Sequence, residues 1–193
     1  VQETIPSFSQ GDVKTTDNTT DMAIVDQAMP IDPETNQPGT ALFTVETPDG
    51  LRYTRNGNFT LDGSGYLTTA NGYYVLDENR ERILLNSENF AISSQGEISE
   101  GTLNRGRIGI SFSATPTAQL IKEGDGLYRI NEGELPSAYA LNNVQFAVQQ
   151  GSIEQSNVDS SKTMTDMMAA YRTFEANQKI VQAYDKKKKK TVN

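Results

Sequence analysis

The chain contains no cysteine and no histidine in 193 residues. The first absence excludes disulfides and thiol chemistry, and the second removes the commonest general base and the commonest zinc ligand. Tryptophan is absent too, the apolar fraction is 35%, and mean hydropathy is -0.57. A chain of this size and composition can build one ordinary domain plus an appendage, with some segments left out of the core. No apolar run approaches the roughly 20 residues needed to cross a bilayer, and no cleavable signal peptide is visible. Stable membrane insertion is therefore not expected. The sequence begins at Val1 rather than at methionine, so the natural N-terminus is expected upstream.

Basic residues are scarce as well. There are 17 Lys and Arg against 25 Asp and Glu, for a net charge of -8. Five of the 17 are Lys186 to Lys190, which leaves 12 for the rest of the chain. An acidic body repels phosphates, so nucleic acid is not an expected partner. The lysine run reads as a solvated helix end, where cations complement the negative end of the dipole.

What is present is mostly short-period and polar. Residues 1–22 are rich in Thr, Asp, Gln and Ser, with Ile5 and Phe8 as isolated anchors, and read as an extended segment. Met22 to Val25 can form a short strand. Residues 29–39 (MPIDPETNQPG) hold three of the seven prolines and form a loop. From Ala41 the pattern has period two: Ala41, Phe43 and Val45 share one face, and Leu42, Thr44 and Glu46 the other. Thr47-Pro48-Asp49-Gly50 is a turn, which makes 41–55 a hairpin. Further turns at Asn56-Gly57, Asp62 to Gly65 and Asn71-Gly72 separate strands at 59–61, 66–69, 73–76 and 82–85. The series continues over 90–93, 97–100, 107–112, 119–122 and 127–130, then through Val144, Phe146 and Val148, and closes at Gly151.

Only one stretch, 157–185, has a long helical pattern. Met167, Phe174 and Val181 are seven apart, as are Met164 and Tyr171, with Met168 beside them and Gln178 weakening the seam. Heptad spacing calls for a helical partner that supercoils left-handedly. A second set, Ala170, Asn177, Ile180 and Tyr184, lies roughly opposite, and a helix with two apolar faces tends to be surrounded. The expected fold class is mainly β: an antiparallel β domain, meander or barrel-like, with an extended N-terminal segment and one long C-terminal α-helix. The expected division is a linker over 1–30, the β domain over 31–152 and a coiled-coil-forming helix over 153–193.

Three stretches together resemble the bacterial flagellar rod and hook family of axial proteins. Residues 42–85 carry a Pro-Asp-Gly hairpin, Tyr-Thr-Arg-x-Gly-x-Phe, and Leu-Asp-x-x-Gly-Tyr-Leu. Residues 151–185 carry Glu-x-Ser-Asn-Val, a Met-rich segment and Arg-x-aromatic-Glu-x-Asn, and residues 8–24 carry Gln-Gly followed by Thr-x-Asn-x-x-Asp-x-Ala-Ile. The match is closer to rod proteins of the distal type than to hook protein. The resemblance implies a non-enzymatic structural subunit of the basal-body rod, without cofactors, whose N- and C-terminal helices pair as a coiled coil lining a tube. Its implied partners are other copies of itself and neighbouring rod or hook subunits. It further implies export through the flagellum's own apparatus to a place outside the cytoplasmic membrane. The family's N-terminal helix has no counterpart after Val1, so this chain is expected to lack it.

On that reading Met164, Met167, Met168, Tyr171, Phe174, Ile180, Val181 and Tyr184 form the subunit interface. Arg55, Gly57, Phe59, Asn157, Arg172, Glu175 and Asn177 are structural motif residues. Gly57 is expected to supply a positive φ, Phe59 to be buried, and Arg55 to be tied to a carboxylate or carbonyl. Asp62-Gly63-Ser64-Gly65 and Asp77-Glu78-Asn79 faintly resemble calcium loops but lack the alternating ligands and distal Glu, and read as turns. The sequons at Asn18 and Asn58 read as chance matches. A carboxylate-pair enzyme finds no pair favoured by the sequence. A secreted β-rich binding or adhesin module is the remaining alternative.

Overall fold

A computed structural model of the chain describes residues 8–155, 167–169, 171–175 and 178. It divides into two compact units, Val1–Asn157 and Val158–Asn193. All the described strand pairings of the first are antiparallel. Its strands are β1 (Val13–Thr15), β2 (Met22–Ala28), β3 (Thr40–Thr47), β4 (Gly50–Thr54), β5 (Phe59–Leu61), β6 (Leu67–Thr69), β7 (Tyr74–Val75) and β8 (Ala91–Ile92). They continue as β9 (Glu97–Glu100), β10 (Leu103–Arg107), β11 (Ile110–Ser113), β12 (Ile121–Lys122), β13 (Leu127–Arg129), β14 (Gln145–Gln150) and β15 (Ser152–Glu154).

Strand β3 is the axis of the body. Its alternation predicts one buried face, yet the six residues Thr40 to Val45 are all buried. The reason is that both faces and both edges are covered. Along one edge β4 returns through the expected hairpin, in register Phe43↔Thr54 to Thr47↔Gly50. Along the other, β11 pairs with residues 40–43 and β7 with 45–46. One face sends Ala41, Phe43 and Val45 into the main apolar cluster with Met22, Ile24, Phe59, Leu67, Val75, Ile108 and Ile110. The opposite face sends Leu42 into a smaller cluster with Phe8, Tyr53, Leu120 and Leu135. Thr44 lies on that second face, where its hydroxyl pairs with Ser111 Oγ at 2.9 Å and accepts from Arg80 Nη1 at 2.7 Å. Burying a hydroxyl costs little when it is bonded in this way.

The sheet order is β12-β13-β4-β3-β7-β6-β5, with β11 beside β3. This is not a simple meander, because β7 rather than β5 pairs with β3. Nor is it a closed barrel, since no pairing among the described strands joins β5 to β12. The predicted strand at 82–85 is reduced to isolated bridges, Leu76↔Arg82 and Tyr66↔Leu84. The run 107–112 breaks into two strands around Gly109, where a side chain would collide with the Asp77 and Leu76 carbonyls. Residues 116–119 form one helical turn with Pro116 at its start, so strand begins only at Ile121.

The two chain ends of the body carry the largest departure from expectation. The β region does not stop at Gly151: it turns there with φ +69 and runs on as β15. The lead-in read as a linker supplies β1, paired with β15, and β2, paired with β14 over Met22↔Gln150 to Ala28↔Gln145. In the second unit, residues 167–169, 171–175 and 178 are helical and exposed. The remaining length of the helix expected over 157–185 lies outside the described residues.

Candidate functional site

The motif stretches at 8–24, at 55–59 and at 151–155 are far apart in sequence, and β1, β2 and β15 bring them to one place. Register puts Val13 opposite Glu154 and Thr15 opposite Ser152. Beyond the ladder, Gln155 N donates to Asp12 O at 2.8 Å, and Thr16 N donates to Gly151 O at 2.8 Å. The two strands form a ribbon whose open end is marked by Asp12 and Gln155. N-terminal to Asp12 the chain stays on the body, where Gln10 bonds β2 and Phe8 packs in the smaller apolar cluster.

Arg55 joins this ribbon to the core strands. Its Nε donates to Glu154 Oε2 at 2.7 Å, and its Nη1 to Asp26 Oδ1 at 3.0 Å. Nη1 also donates to Ala41 O at 2.9 Å and Nη2 to Ile24 O at 3.1 Å. One planar fork thus serves four acceptors on β15, β2 and β3, a task a lysine point charge cannot perform. The side chains of Arg55, Asp26 and Glu154 are 16%, 16% and 12% exposed. Charge-assisted hydrogen bonds shielded to this degree hold firmly, and removing one partner leaves a part-buried charge behind.

Around the fork, side-chain amides stand in for missing strands. Gln10 Nε2 donates to Ile24 O at 3.2 Å while its Oε1 accepts from Asp26 N at 2.9 Å. Gln150 does the same for β8, donating to Phe90 O at 3.0 Å and accepting from Ile92 N at 2.9 Å. Each carboxamide pairs with one C=O and one N–H of a strand edge. Asp21, 3% exposed, accepts from Thr16 Oγ1 at 2.7 Å and from Asn58 Nδ2 at 2.8 Å. Its own carbonyl accepts from Gly151 N at 2.7 Å.

Gly57 corrects an expectation. It is not among the positive-φ glycines. Instead, a Cβ there would run into the Met22 carbonyl, and Met22 N donates to Gly57 O at 2.9 Å. The position demands close backbone approach rather than a left-handed turn. Phe59 is 2% exposed and meets Phe43 edge-on with centroids 5.1 Å apart.

Of the predicted interface residues, Met167, Met168, Tyr171 and Phe174 are helical and exposed, at 71%, 56%, 65% and 59%. Arg172 and Glu175 are likewise helical and exposed. Met164, Ile180, Val181, Tyr184, Asn157 and Asn177 lie outside the described residues. Sequence reasoning named Arg55 but not its partners Asp26 and Glu154, nor the amide surrogates Gln10 and Gln150. Glu154 and Gln10 do fall within recognisable motifs, and that is the signal by which they could have been found.

The acid-rich turns use their carboxylates internally. Asp62 Oδ1 accepts from Ser64 N and Tyr66 N, and Asp77 Oδ1 from Asn79 N and Glu81 N, all within 2.8 to 2.9 Å. Among the described residues no group of His, Cys, Asp and Glu is arranged to hold a metal. A shallow cavity of about 340 Å³ is floored by Tyr139, Leu141 and Phe146 and rimmed by Gln27, Gln95 and Gln145. Burial pushes the Tyr139 phenol well above its ordinary value, so it stays neutral, and it donates to Ile108 O at 3.0 Å.

Residues 38–100 match the family described as flagellar hook protein FlgE/F/G D1 domain. Residues 149–193 match that described as flagellar basal body rod FlgEFG protein C-terminal. The flagellar hook-basal body complex protein FlhO of Bacillus subtilis is 39% identical over 194 residues, covering 100% of this chain and 71% of the relative. The flagellar basal-body rod protein FlgG of the same organism is 38% identical over 165 residues, covering 80% of this chain and 62% of the relative. FlgG of Borreliella burgdorferi is 29% identical over 191 residues, covering 92% and 65%. The chain therefore spans 62% to 71% of the length of these relatives.

Proposed function

The chain belongs to the flagellar basal-body rod and hook family, and from that premise we propose that it is a rod subunit that self-assembles through its terminal helices into a torque-carrying tube. The family is one of structural flagellar components of the basal body. In this reading the β body runs through β15, and the segment after it makes the assembly contacts through its helical residues 167–169, 171–175 and 178. Its partners are other copies of the same chain and neighbouring rod or hook subunits, met outside the cytoplasmic membrane after export without a cleaved signal.

The observation that carries the reading is the exposure of Met167, Met168, Tyr171 and Phe174 on one short helical stretch. Four large apolar side chains left in water on so few residues are a liability for an isolated domain and an asset for one that packs laterally. Stiffness is the physical demand of torque transmission, and close lateral packing of many helices supplies it. Met167→Asp combined with Phe174→Asp, introduced into the full-length gene, is expected to abolish rod assembly and swimming while the β body melts at an unchanged temperature. Wild-type swimming, or a collapsed β body, would overturn the reading.

A further inference from the structure

We infer that Glu154 is a positioning residue that stops the β1–β15 ribbon from peeling, so that load entering β15 from its C-terminal side reaches the β body. The ribbon has only three residue pairs, and a two-stranded ribbon of that length has little stability of its own in water. It is also held in the weakest geometry. Force drawn on β15 from its C-terminal side arrives at Gln155 and opens the ladder one hydrogen bond at a time, whereas Phe8 and Gln10 pin the N-terminal side to the body ahead of β1.

Glu154 sits in the first pair that such opening meets. Its two carboxylate oxygens bond in two directions. Oε1 accepts from Gly11 N at 2.9 Å, tying β15 to the chain just ahead of β1. Oε2 accepts from Arg55 Nε at 2.7 Å, tying both to a side chain rooted beside β4 and braced on Ala41 O, Ile24 O and Asp26. Peeling past Glu154 must therefore break a charge-assisted bond to the body as well as a ladder bond. At the other end of the ribbon, Asp21 anchors Thr16 and Gly151. The ribbon is thus fixed at both ends by carboxylates and free only in its middle, where Lys14 is exposed.

Lys14 supplies the probe, because trypsin cuts after it only when β1 leaves the ladder. In the chain as it stands, Glu154→Ala is expected to speed cleavage after Lys14 about tenfold, the scale of one charge-assisted hydrogen bond. Glu154→Gln keeps an acceptor for Gly11 N and is expected to speed it less. Hydrogen exchange at Thr44 N and Leu76 N, which bond Gly109 O and Thr44 O inside the core, is expected not to change. An unchanged cleavage rate in Glu154→Ala overturns the inference. Equal loss of protection at Thr44 and Leu76 also overturns it, since Glu154 would then belong to the cooperative core. Neither outcome depends on whether the chain builds a rod, so the two readings fail separately.

Discussion

The core around β3 and the junction around Arg55 are held together by different physics. At β3 the cohesion is apolar area: Phe43, Val45, Ile108 and Ile110 are buried to 1% exposure or less, and no single contact dominates. At the junction it is a handful of directed bonds from Arg55, Glu154, Asp21, Gln10 and Gln150 to backbone and to each other. A core of the first kind fails as a whole, because a cavity anywhere weakens every neighbour. A junction of the second kind can be opened bond by bond while the rest stands.

Phe43→Ala should break the comparison from the core side with the largest effect, about 3–5 kcal/mol. Phe43 is fully buried and forms the edge-on pair with Phe59. The absence of tryptophan leaves tyrosine emission as the optical probe for urea unfolding. Core and junction are expected to be lost in one transition, and a ribbon that outlived the core would contradict the division drawn here. Gly57→Ala should be the next largest, about 2 kcal/mol, from forced displacement of the Met22 backbone. Because Met22 begins β2 and also sits in the main cluster, this substitution is expected to lower the melting temperature and to open the ribbon to trypsin together.

How much of this was legible in the sequence follows the same division. The β3–β4 hairpin could be read from alternation and Pro48-Asp49-Gly50, because local turn chemistry and side-chain period determine it. The turns at Asp62 and Asn71 could be read for the same reason. The double-sided burial of β3 was not legible, since Leu42 is covered by Phe8, Tyr53, Leu120 and Leu135 and Thr44 by Arg80 and Ser111, most of them far along the chain. The junction was the least legible part. Arg55 and Glu154 are 99 residues apart and lie in stretches with no shared period. β1 is only three residues, Val13 to Thr15, with two of them exposed, and its strand character comes from its partner. The position of Gly57 was correct as a constraint and wrong as a mechanism, because a glycine required for close approach looks the same in sequence as one required for φ.

The smallest expected effect sharpens the contrast from the surface side. Arg82 Nε bonds Glu46 Oε2 at 2.6 Å with side chains 46% and 39% exposed. That hydrogen bond holds the Glu46 carboxyl below its ordinary 4.5, and Arg105 does the same for Glu100. A depressed folded value contributes stability that is fully present above the unfolded value and is lost as pH falls through the folded one. With no histidine in the chain, the melting temperature is expected to be flat between pH 8 and pH 5 and to fall only below about 4.5. Glu46→Gln should flatten part of that acid limb and shift the neutral melting temperature by less than about 2 °C, because exposed pairs contribute little. Salt separates the two kinds of bond further. Raising it to about 0.5 M should screen the Glu46–Arg82 pair almost completely, whereas the Arg55–Glu154 bond, at 16% and 12% exposure, is shielded from it. Cleavage after Lys14 is therefore expected to keep its rate in high salt, and a rate that rose with salt as steeply as in Glu154→Ala would place the junction among the ordinary surface pairs.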